Sequence, residues 1–274
     1  MPVERVGLIA TYNMTDFLEG VTEERVSTPW GEAHYSLGEL DSQPVVLLQR
    51  YGRGMEMIQH LINFRANIWG FRELGVQRVI ATDGVGSLRR DLEPGTFVVV
   101  DDFLDFTSKG RLSFFEEHGC SVRIDVSTPF CPTLRAAFIK GTRQVTSAVR
   151  EEGVLVGSDG PRFETRAEGR MFRQLGADIV GTLLIPEIVL AREAEICLAL
   201  LCIVINYGPG LEATIDRRGP GSMEEKYYEG PHRQLPAILR ETFAHIPPER
   251  ECICTRAVPQ TAFGHLPTWY RKES

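Results

Sequence analysis

The feature of this sequence that most constrains its fold is the alternation of apolar, strand-length runs with helix-like stretches along nearly the whole chain. Such alternation predicts an α/β fold with a mostly parallel or mixed β-sheet covered by helices. The run Cys197–Ile205 is continuously apolar, which is typical of a strand buried on both faces. The other predicted strands are Val6–Thr11, Val45–Gln49, Arg78–Thr82, Phe97–Asp101, Val154–Gly157 and one that begins at Ile179. The predicted helices are Met55–Leu74, Thr133–Glu152, Glu164–Leu175 and Pro186–Ala194.

The size and charge of the chain limit its organisation and its partners. No internal repeat, low-complexity linker or break in composition divides the 274 residues, so we expect one domain over residues 1–274. The net charge of -7 argues against a nucleic-acid partner, since such proteins need a basic surface. No stretch approaches the ~18 apolar residues that span a bilayer, so no membrane partner is expected. The segment Met1–Ala10 is typical of a strand rather than of a secretion signal, which favours the cytoplasm.

The spacing of the six cysteines predicts neither a disulfide framework nor paired zinc knuckles. Cys197 and Cys202 lie in the apolar run and are expected to be small core residues. The stretch Cys252-Ile253-Cys254 is predicted to be a strand, with a redox-active pair as the alternative. The histidines have no metal-ligand spacing, and the chain has no phosphate-binding Walker loop and no dinucleotide fingerprint. We therefore expect no metal and no cofactor.

A Gly/Pro-rich segment follows the apolar run, from Gly208 to Gly221, and it also carries Asp216, Arg217 and Arg218. A long loop of this composition after a buried strand is typical of a lid or a binding loop. A surface excursion without a role in binding is the alternative interpretation.

Several motifs occur in a fixed order. The sequence GPRFETRAE at 160–168 is followed by GAD at 176–178 and IPEIVLARE at 185–193. Upstream lie RYGR at 50–53, NFRANIW at 63–69, GSL at 86–88, PG at 94–95 and PFCP at 129–132. Together these motifs resemble those of the trimeric purine nucleoside phosphorylases and methylthioadenosine phosphorylases, over about residues 4–245.

The resemblance implies a mixed central sheet partly closed as a barrel and flanked by helices. It also implies a homotrimer, with a hexamer as the alternative, in which a neighbour completes each site near residues 113–131. The activity implied is cleavage of the N-glycosidic bond of a purine nucleoside, for which positioning and electrostatics supply most of the rate enhancement.

The base-binding residues implied by the resemblance are all present. Phe163 matches the aromatic residue that packs on the purine, and Glu164 follows it as in members that use 6-oxopurines. Asn206 stands where those members have Asn and where 6-aminopurine members have Asp. An amide can both donate and accept, so it suits O6 and N7, while a carboxylate suits N1–H. A helix-start role for Glu164 and a turn role for Asn206 are the structural alternatives.

The acceptor site departs from the family pattern. The resemblance implies phosphate contacts in the loop after the first strand, where this chain has Thr11 and Tyr12. Arg50 matches the family's phosphate arginine, whereas Tyr51 replaces a histidine. Asp83, followed by Gly84, occupies a position that carries a small or hydroxyl residue in relatives, and Thr182 and Leu183 replace a Met-Ser or Met-Thr pair. A carboxylate ~4 Å from a phosphate charge costs about 4 kcal/mol at an effective dielectric of 20, so ordinary phosphate binding is disfavoured.

Three interpretations of this departure follow. In the first, Asp83 acts as a general base for water, which would make the chain a nucleoside hydrolase on a phosphorylase scaffold. Asp83, Arg50 and Asn206 are the predicted catalytic residues for glycosidic-bond cleavage by the family's mechanism, whether phosphate or water is the acceptor. Alternatively, Asp83 pairs with Arg50 and the chain binds purines without turnover. In the third, Thr11 or a rearranged loop still holds phosphate.

Two further residues are expected near the sugar. His60 matches a family position near ribose, and Arg123 replaces a histidine that approaches the 5′ substituent. An arginine there suggests that the small-molecule partner is a 5′-modified or 5′-phosphorylated nucleoside.

Overall fold

The computed structural model describes residues 4–52, 54, 57–108, 112–116, 120–182, 184–211 and 222–270, apart from the side chains at 223, 224 and 228. Its strands are β1 Val6–Ala10, β2 Glu19–Thr28, β3 Gly31–Leu40, β4 Gln43–Gln49, β5 Arg78–Ser87, β6 Phe97–Val99, β7 Asp102–Phe106, β8 Ser121–Val122, β9 Val149–Arg150, β10 Val154–Ser158, β11 Ile179–Thr182, β12 Cys197–Tyr207 and β13 Ala262–Phe263. Its α-helices are α1 Phe64–Glu73, α2 Pro132–Val145, α3 Arg166–Gln174, α4 Ile185–Glu193, α5 Met223–Glu229 and α6 Leu235–Ala244. Short 3-10 helices lie at Thr15–Phe17, Gln59–Leu61, Pro231–Gln234 and Ile253–Arg256.

Eleven of the strands form one mixed sheet. Its main path runs β2-β3-β4-β1-β5-β11-β10-β7, and β12 joins it beside β5 and continues through β6 to β9. The strands β4, β1, β5 and β12 are parallel, so their carboxyl ends lie at one edge of the sheet. β11 pairs antiparallel with the end of β5 at that edge. Ligands bind preferentially at the carboxyl edge of parallel strands, which makes it the place to look for a site.

Apolar side chains cover both faces of the sheet. One cluster includes Ile9, Val79 and Val204, with Trp69 and Phe71 of α1. The other includes Leu8, Ile80 and Ile203, with Phe138 of α2 and Leu239 of α6. The predicted α/β class, with a mixed central sheet flanked by helices, is confirmed. Partial closure of the sheet into a barrel and the single domain over residues 1–274 stay predictions.

The described part of α1 is shorter than its periodicity predicts. We expect a helix over Met55–Leu74, but α1 begins at Phe64, and Gln59–Leu61 forms a separate 3-10 turn. The cause is local, because the Asn63 side chain accepts a hydrogen bond from the Ala66 backbone N–H at 3.1 Å and caps the helix. The apolar spacing that led to the longer prediction extends upstream of this cap, where residues 57–63 contain only the 3-10 turn and no α-helix.

Two other predictions of local structure are wrong. The helix predicted over Thr133–Glu152 ends at Val145, and Val149–Arg150 then joins the sheet beside β6. The stretch Cys252-Ile253-Cys254 does not form a strand, because it turns into the 3-10 helix Ile253–Arg256. In that turn the Thr255 backbone N–H donates to the Cys252 carbonyl at 3.4 Å. None of the helices in the described ranges is both long and apolar enough to cross a bilayer.

Candidate active site

A cavity of about 470 Å³ opens at the carboxyl edge of the parallel strands. Volumes of this size are typical of small-molecule sites. Its wall combines the ends of β1, β5, β11 and β12 with residues 161–164, which follow β10. Residues predicted from distant parts of the sequence meet here, namely Thr11, Tyr12, Tyr51, Asp83, Gly84, Phe163, Glu164, Thr182 and Asn206. We call Phe163, Glu164 and Asn206 the base half, and Thr11, Asp83 and Gly84 the acceptor half.

The start of α3 fixes the position of Phe163 and Glu164. Thr165 caps the helix, and its side chain and that of Glu168 each bond to the other residue's backbone N–H, forming a capping box. Arg162 donates to both carboxylate oxygens of Glu168, at 2.9 and 2.7 Å, which ties the preceding loop to the helix. Phe163 and Glu164 are therefore held between two anchored residues, with the Phe163 ring 44% exposed at the cavity.

Hydrogen bonds orient the two polar groups of the base half. The Ser158 hydroxyl, at the end of β10, donates to the Glu164 carboxylate. The Asn206 amide N–H donates to the Tyr207 carbonyl at 2.7 Å, and Asn206 is 8% exposed at the end of β12. An amide has a second N–H and a carbonyl, so this group suits an edge that presents one acceptor and one donor.

A glycine allows the two segments of the base half to approach each other. A Cβ atom at Gly169 of α3 would lie 2.3 Å from the Pro209 carbonyl oxygen, which is closer than any packed side chain tolerates. Pro209 belongs to the loop after β12, and Arg173 of α3 also donates to its carbonyl at 3.3 Å. The contact holds the helix that follows Phe163 and Glu164 against the strand end that carries Asn206.

In the acceptor half, the carboxylate of Asp83 accepts hydrogen bonds from the donors around it. The Thr11 hydroxyl donates to Asp83 Oδ1 at 2.6 Å, and the Gly84 backbone N–H donates to the same oxygen at 2.8 Å. A hydroxyl and a backbone N–H are the groups that a loop would offer to a bound anion. The Asp83 carboxylate therefore binds the donors that a bound anion would otherwise use.

Arg50 lies behind the acceptor half rather than in it. Its guanidinium is fully buried and donates to both oxygens of Glu187, from Nε at 2.5 Å and from Nη2 at 2.7 Å. The remaining arm, Nη1, donates to the Thr11 hydroxyl at 2.6 Å and lies 3.9 Å from Asp83 Oδ2. Arg50 is not among the described residues that line the cavity, and Glu187 takes two of its five N–H donors, so direct contact between Arg50 and the acceptor stays a prediction.

The charges of this network oppose a further anion. Two carboxylates and one guanidinium leave a net negative charge when all three are ionised. Burial raises the pKa of Asp83 above its ordinary value, although Arg50, Thr11 and Gly84 lower it. Burial lowers the pKa of Arg50, but Glu187 and Asp83 raise it more, so Arg50 remains charged. Burial also raises the pKa of Tyr51, which therefore stays neutral.

The other predicted residues divide into three groups. Tyr12, Tyr51 and Thr182 line the cavity, and the Tyr12 ring stacks on Tyr227 with centroids 4.3 Å apart. His60 and Arg123 are exposed and are not among the described residues that line it. Leu183 and most of the loop from Gly208 to Gly221, including Asp216, Arg217 and Arg218, lie outside the described residues. A lid role for that loop stays a prediction.

Sequence reasoning missed two residues that shape the site. Glu187, which neutralises Arg50, lies within the motif at 185–193, but the motif alone predicts no role for it. Ser158, which orients Glu164, lies one residue beyond the predicted strand Val154–Gly157 and belongs to none of the motifs. A buried carboxylate needs a partner, so an acidic residue in the first turn of the apolar helix α4 was a usable signal for Glu187.

The fold and the cavity together define an α/β protein with a nucleoside-sized site at the carboxyl edge of its parallel strands. Residues 1–227 match the family model described as the phosphorylase superfamily. The chain belongs to this superfamily and, within it, to the purine nucleoside and methylthioadenosine phosphorylases, which are pentosyltransferases. The resemblance drawn from the motifs is confirmed.

Individual relatives cover nearly the whole chain. A probable S-methyl-5'-thioinosine phosphorylase of Methanopyrus kandleri is 40% identical over 247 residues, which is 89% of this chain and 94% of the relative. A 6-oxopurine nucleoside phosphorylase of Pyrococcus furiosus is 36% identical, covering 93% of this chain and 97% of the relative. Among solved structures, a methylthioadenosine phosphorylase from an antarctic soil metagenomic library has a TM-score of 0.86 at 26% identity, covering 100% of this chain and 96% of that one.

Proposed function

We propose that this chain cleaves the N-glycosidic bond of a 6-oxopurine nucleoside in the cavity at the carboxyl edge of the sheet. The observation that carries the proposal is the convergence of Phe163, Glu164 and Asn206 on the same cavity as Asp83. The Phe163 ring would stack on the purine, and Glu164 would accept N1–H. Asn206 would donate to O6 or to N7, where negative charge develops as the purine leaves.

We further propose that water is the acceptor and that Asp83 is its general base. A water molecule beside the Asp83 carboxylate would attack the anomeric carbon, and its proton would pass to Asp83. The bonding electrons of the C–N bond would move to the purine, which Asn206 stabilises as an anion until it takes a proton from solvent, while Asp83 returns the proton of the attacking water to solvent. The products are the free purine and the free sugar. The donors that Thr11 and Gly84 give to Asp83 support this role, because they keep one carboxylate oxygen fixed.

Phosphorolysis is the second candidate, and the names of the relatives favour it. In that case, phosphate would have to displace the bonds that Asp83 receives from Thr11 and Gly84. Since burial raises the pKa of Asp83, protonation would accompany phosphate binding and would remove the repulsion. Phosphate would then bind more tightly as the pH falls, which separates this candidate from hydrolysis.

Product analysis tests both candidates. Inosine, guanosine, adenosine, S-methyl-5'-thioinosine and inosine 5′-phosphate are incubated with the protein, with and without phosphate. We expect free purine and free sugar from the 6-oxopurine nucleosides, at a rate that does not depend on phosphate. Sugar 1-phosphate and a strict need for phosphate would establish the second candidate instead. Purine binding by calorimetry without any release of base would show a binding protein and would contradict both.

We also propose that the protein assembles as a homotrimer in the cytoplasm and that Arg123 contacts the 5′ substituent of a nucleoside bound by a neighbouring subunit. Its exposure within the single chain is compatible with that role. Light scattering after size exclusion tests the assembly, with a hexamer as the alternative. A preference for a 5′-phosphorylated nucleoside that is lost in Arg123→Ala tests the contact.

A further inference from the structure

Four of the six cysteines converge at the opposite end of the sheet from the cavity. Cys131 precedes the first turn of α2, Cys197 begins β12, and Cys252 and Cys254 flank the start of the last 3-10 helix. Their Sγ atoms all lie within 4.8 Å of one another, and Cys197 Sγ and Cys252 Sγ are 3.2 Å apart. Three segments that are far apart in the sequence thus direct thiols at one point.

We propose that these four cysteines bind one Zn²⁺ ion in a tetrathiolate site. Zinc takes four thiolates at the corners of a tetrahedron with Zn–S distances of about 2.3 Å, which corresponds to sulfur atoms about 3.8 Å apart. The sulfur atoms here span a range that brackets this value. Shifts of about 1 Å or less in the four side chains would close the tetrahedron, and the thiols would release their protons as the ion binds.

The cluster is shielded from solvent. Three of the four cysteines are buried and Cys252 is half-buried, so the cluster has little access to water.

Two buried arginines lie next to the proposed site, and one of them, Arg78, also pairs with Glu4. A Zn²⁺ ion with four thiolates carries a net charge of about -2. Arg192 of α4 donates from Nη1 to Cys254 Sγ at 3.5 Å, and it also binds the Thr128 and Pro129 carbonyls just before Cys131. Arg78 begins β5 directly beside Cys197 and donates to the carbonyls of Pro247, Pro248 and Glu249, shortly before Cys252. The arginines therefore join the same three segments that the metal would join.

The site would be structural rather than catalytic. Cys197 and Asn206 lie at opposite ends of β12, nine residues apart, which corresponds to about 30 Å along a strand. The ion would fasten the segment after α6 to the start of the central strand. This inference does not depend on the proposed function, and either can fail without the other.

Metal analysis of the full chain tests the proposal. The protein is produced in zinc-supplemented medium, purified without chelator, and its zinc content is measured by inductively coupled plasma mass spectrometry. We expect about one zinc per chain, and a fall of at least about fivefold in the double variant Cys252→Ser/Cys254→Ser. Cys120→Ser is the matched control, because Cys120 is a buried thiol outside the cluster, and it should retain the metal. Removal of zinc with a chelator should lower the Tm of the unmodified protein by at least about 5 °C.

The wild-type protein alone can overturn the proposal, whether or not the variants fold. Absence of zinc after anaerobic reconstitution with zinc chloride would overturn it, whether thiol titration then finds two disulfides or four free thiols. Zinc that persists in a folded Cys252→Ser/Cys254→Ser variant would overturn it as well. Iron in place of zinc would overturn the choice of metal.

Discussion

The two halves of the cavity are built in different ways. In the base half, Glu164 and Asn206 each have one bond that orients them, from Ser158 and to the Tyr207 carbonyl respectively. In the acceptor half, Asp83 occupies the donors of Thr11 and Gly84. The base half therefore keeps polar atoms available for a ligand, whereas the donors of the acceptor half already bind the Asp83 carboxylate. The difference indicates that ligand choice and choice of nucleophile are set by separate groups.

The halves also differ in what holds them together. The base half depends on close packing, because α3 and the loop after β12 touch at Gly169 and Pro209. The acceptor half depends on buried charge, because Arg50 and Glu187 are both nearly inaccessible to water. Substitutions in the two halves should therefore fail differently, by altered recognition in the first and by lost turnover or stability in the second.

The largest effect is expected for Asp83→Asn. If Asp83 is the base for water, this change removes the proton acceptor while it preserves size, and kcat should fall by about 10²–10⁴-fold. In the unmodified protein, kcat should rise with pH through a pKa above the ordinary value of an aspartate, because burial favours the neutral form and only the carboxylate is active. Steady-state rates across pH measure both quantities.

The exposed Asp102 supplies the control for this substitution. Asp102→Asn leaves the cavity untouched and should leave kcat unchanged within about twofold. A kcat in Asp83→Asn equal to that of the unmodified protein would remove Asp83 from the chemistry and would erase the contrast between the halves.

The next effect concerns stability. Arg50→Met leaves Glu187 buried without its partner, and loss of one member of such a pair typically costs about 3–5 kcal/mol in the free energy of unfolding. In the double variant Arg50→Met/Glu187→Met, part of that loss should be recovered, because Glu187 is no longer buried without a partner, although Asp83 still lacks Arg50. Denaturant titration measures both changes. Arg89→Met, which breaks surface pairs with Asp91 and Asp178, should cost less than about 1 kcal/mol.

The Arg50 result would also decide how the acceptor half works. A double variant that folds but loses turnover would assign Arg50 an electrostatic role behind Thr11. A double variant with normal turnover would show that Arg50 contributes to the stability of the buried network and not to catalysis.

Asn206→Asp should change the choice of base without abolishing turnover. A carboxylate at this position accepts from a 6-amino group but repels O6, so the ratio of kcat/KM for inosine over adenosine should fall by about 10²-fold. Competition between the two nucleosides measures the ratio directly. Asn63→Asp is the control, because aspartate also caps a helix and α1 is remote from base recognition. If Asn206→Asp leaves the ratio of kcat/KM for inosine over adenosine unchanged, Asn206 does not recognise the purine through hydrogen bonds to its edge.

The same comparison shows what could be predicted from the sequence. The central strands of the sheet, including β12, were predictable from periodicity, and ordered motifs selected the three residues of the base half that meet at the cavity. β2, β3 and β7 were not predicted. Phe163 and Asn206 are 43 residues apart in the sequence, yet each follows a predicted strand. β10 is parallel to β11 but β11 is antiparallel to β5, so β10 and β12 run in opposite directions. The convergence of the two residues therefore depends on the pairing of β11 with the end of β5, which the sequence did not reveal.

What escaped prediction depended on pairings between distant side chains. The partner of Arg50 is a carboxylate 137 residues away, and nothing in the spacing of either residue reveals the bond. The four clustered cysteines escaped for the same reason, since three segments supply them. The boundary of α1 was missed because one capping asparagine outweighs an apolar period that extends beyond it.

The smallest effect is expected at the aromatic wall of the base half. Phe163→Leu keeps an apolar side chain but removes the flat ring, so the Kd for hypoxanthine should rise by about 5–10-fold, in line with about 0.5–1.5 kcal/mol for an aromatic stack. Phe263→Leu, at the exposed end of β13, is the matched control and should leave Kd unchanged. Calorimetry with the base alone isolates the base half, because no sugar or acceptor takes part. If Phe163→Leu lowers kcat but leaves Kd unchanged, Phe163 acts in catalysis and not in base binding, and the proposed division between the two halves is wrong.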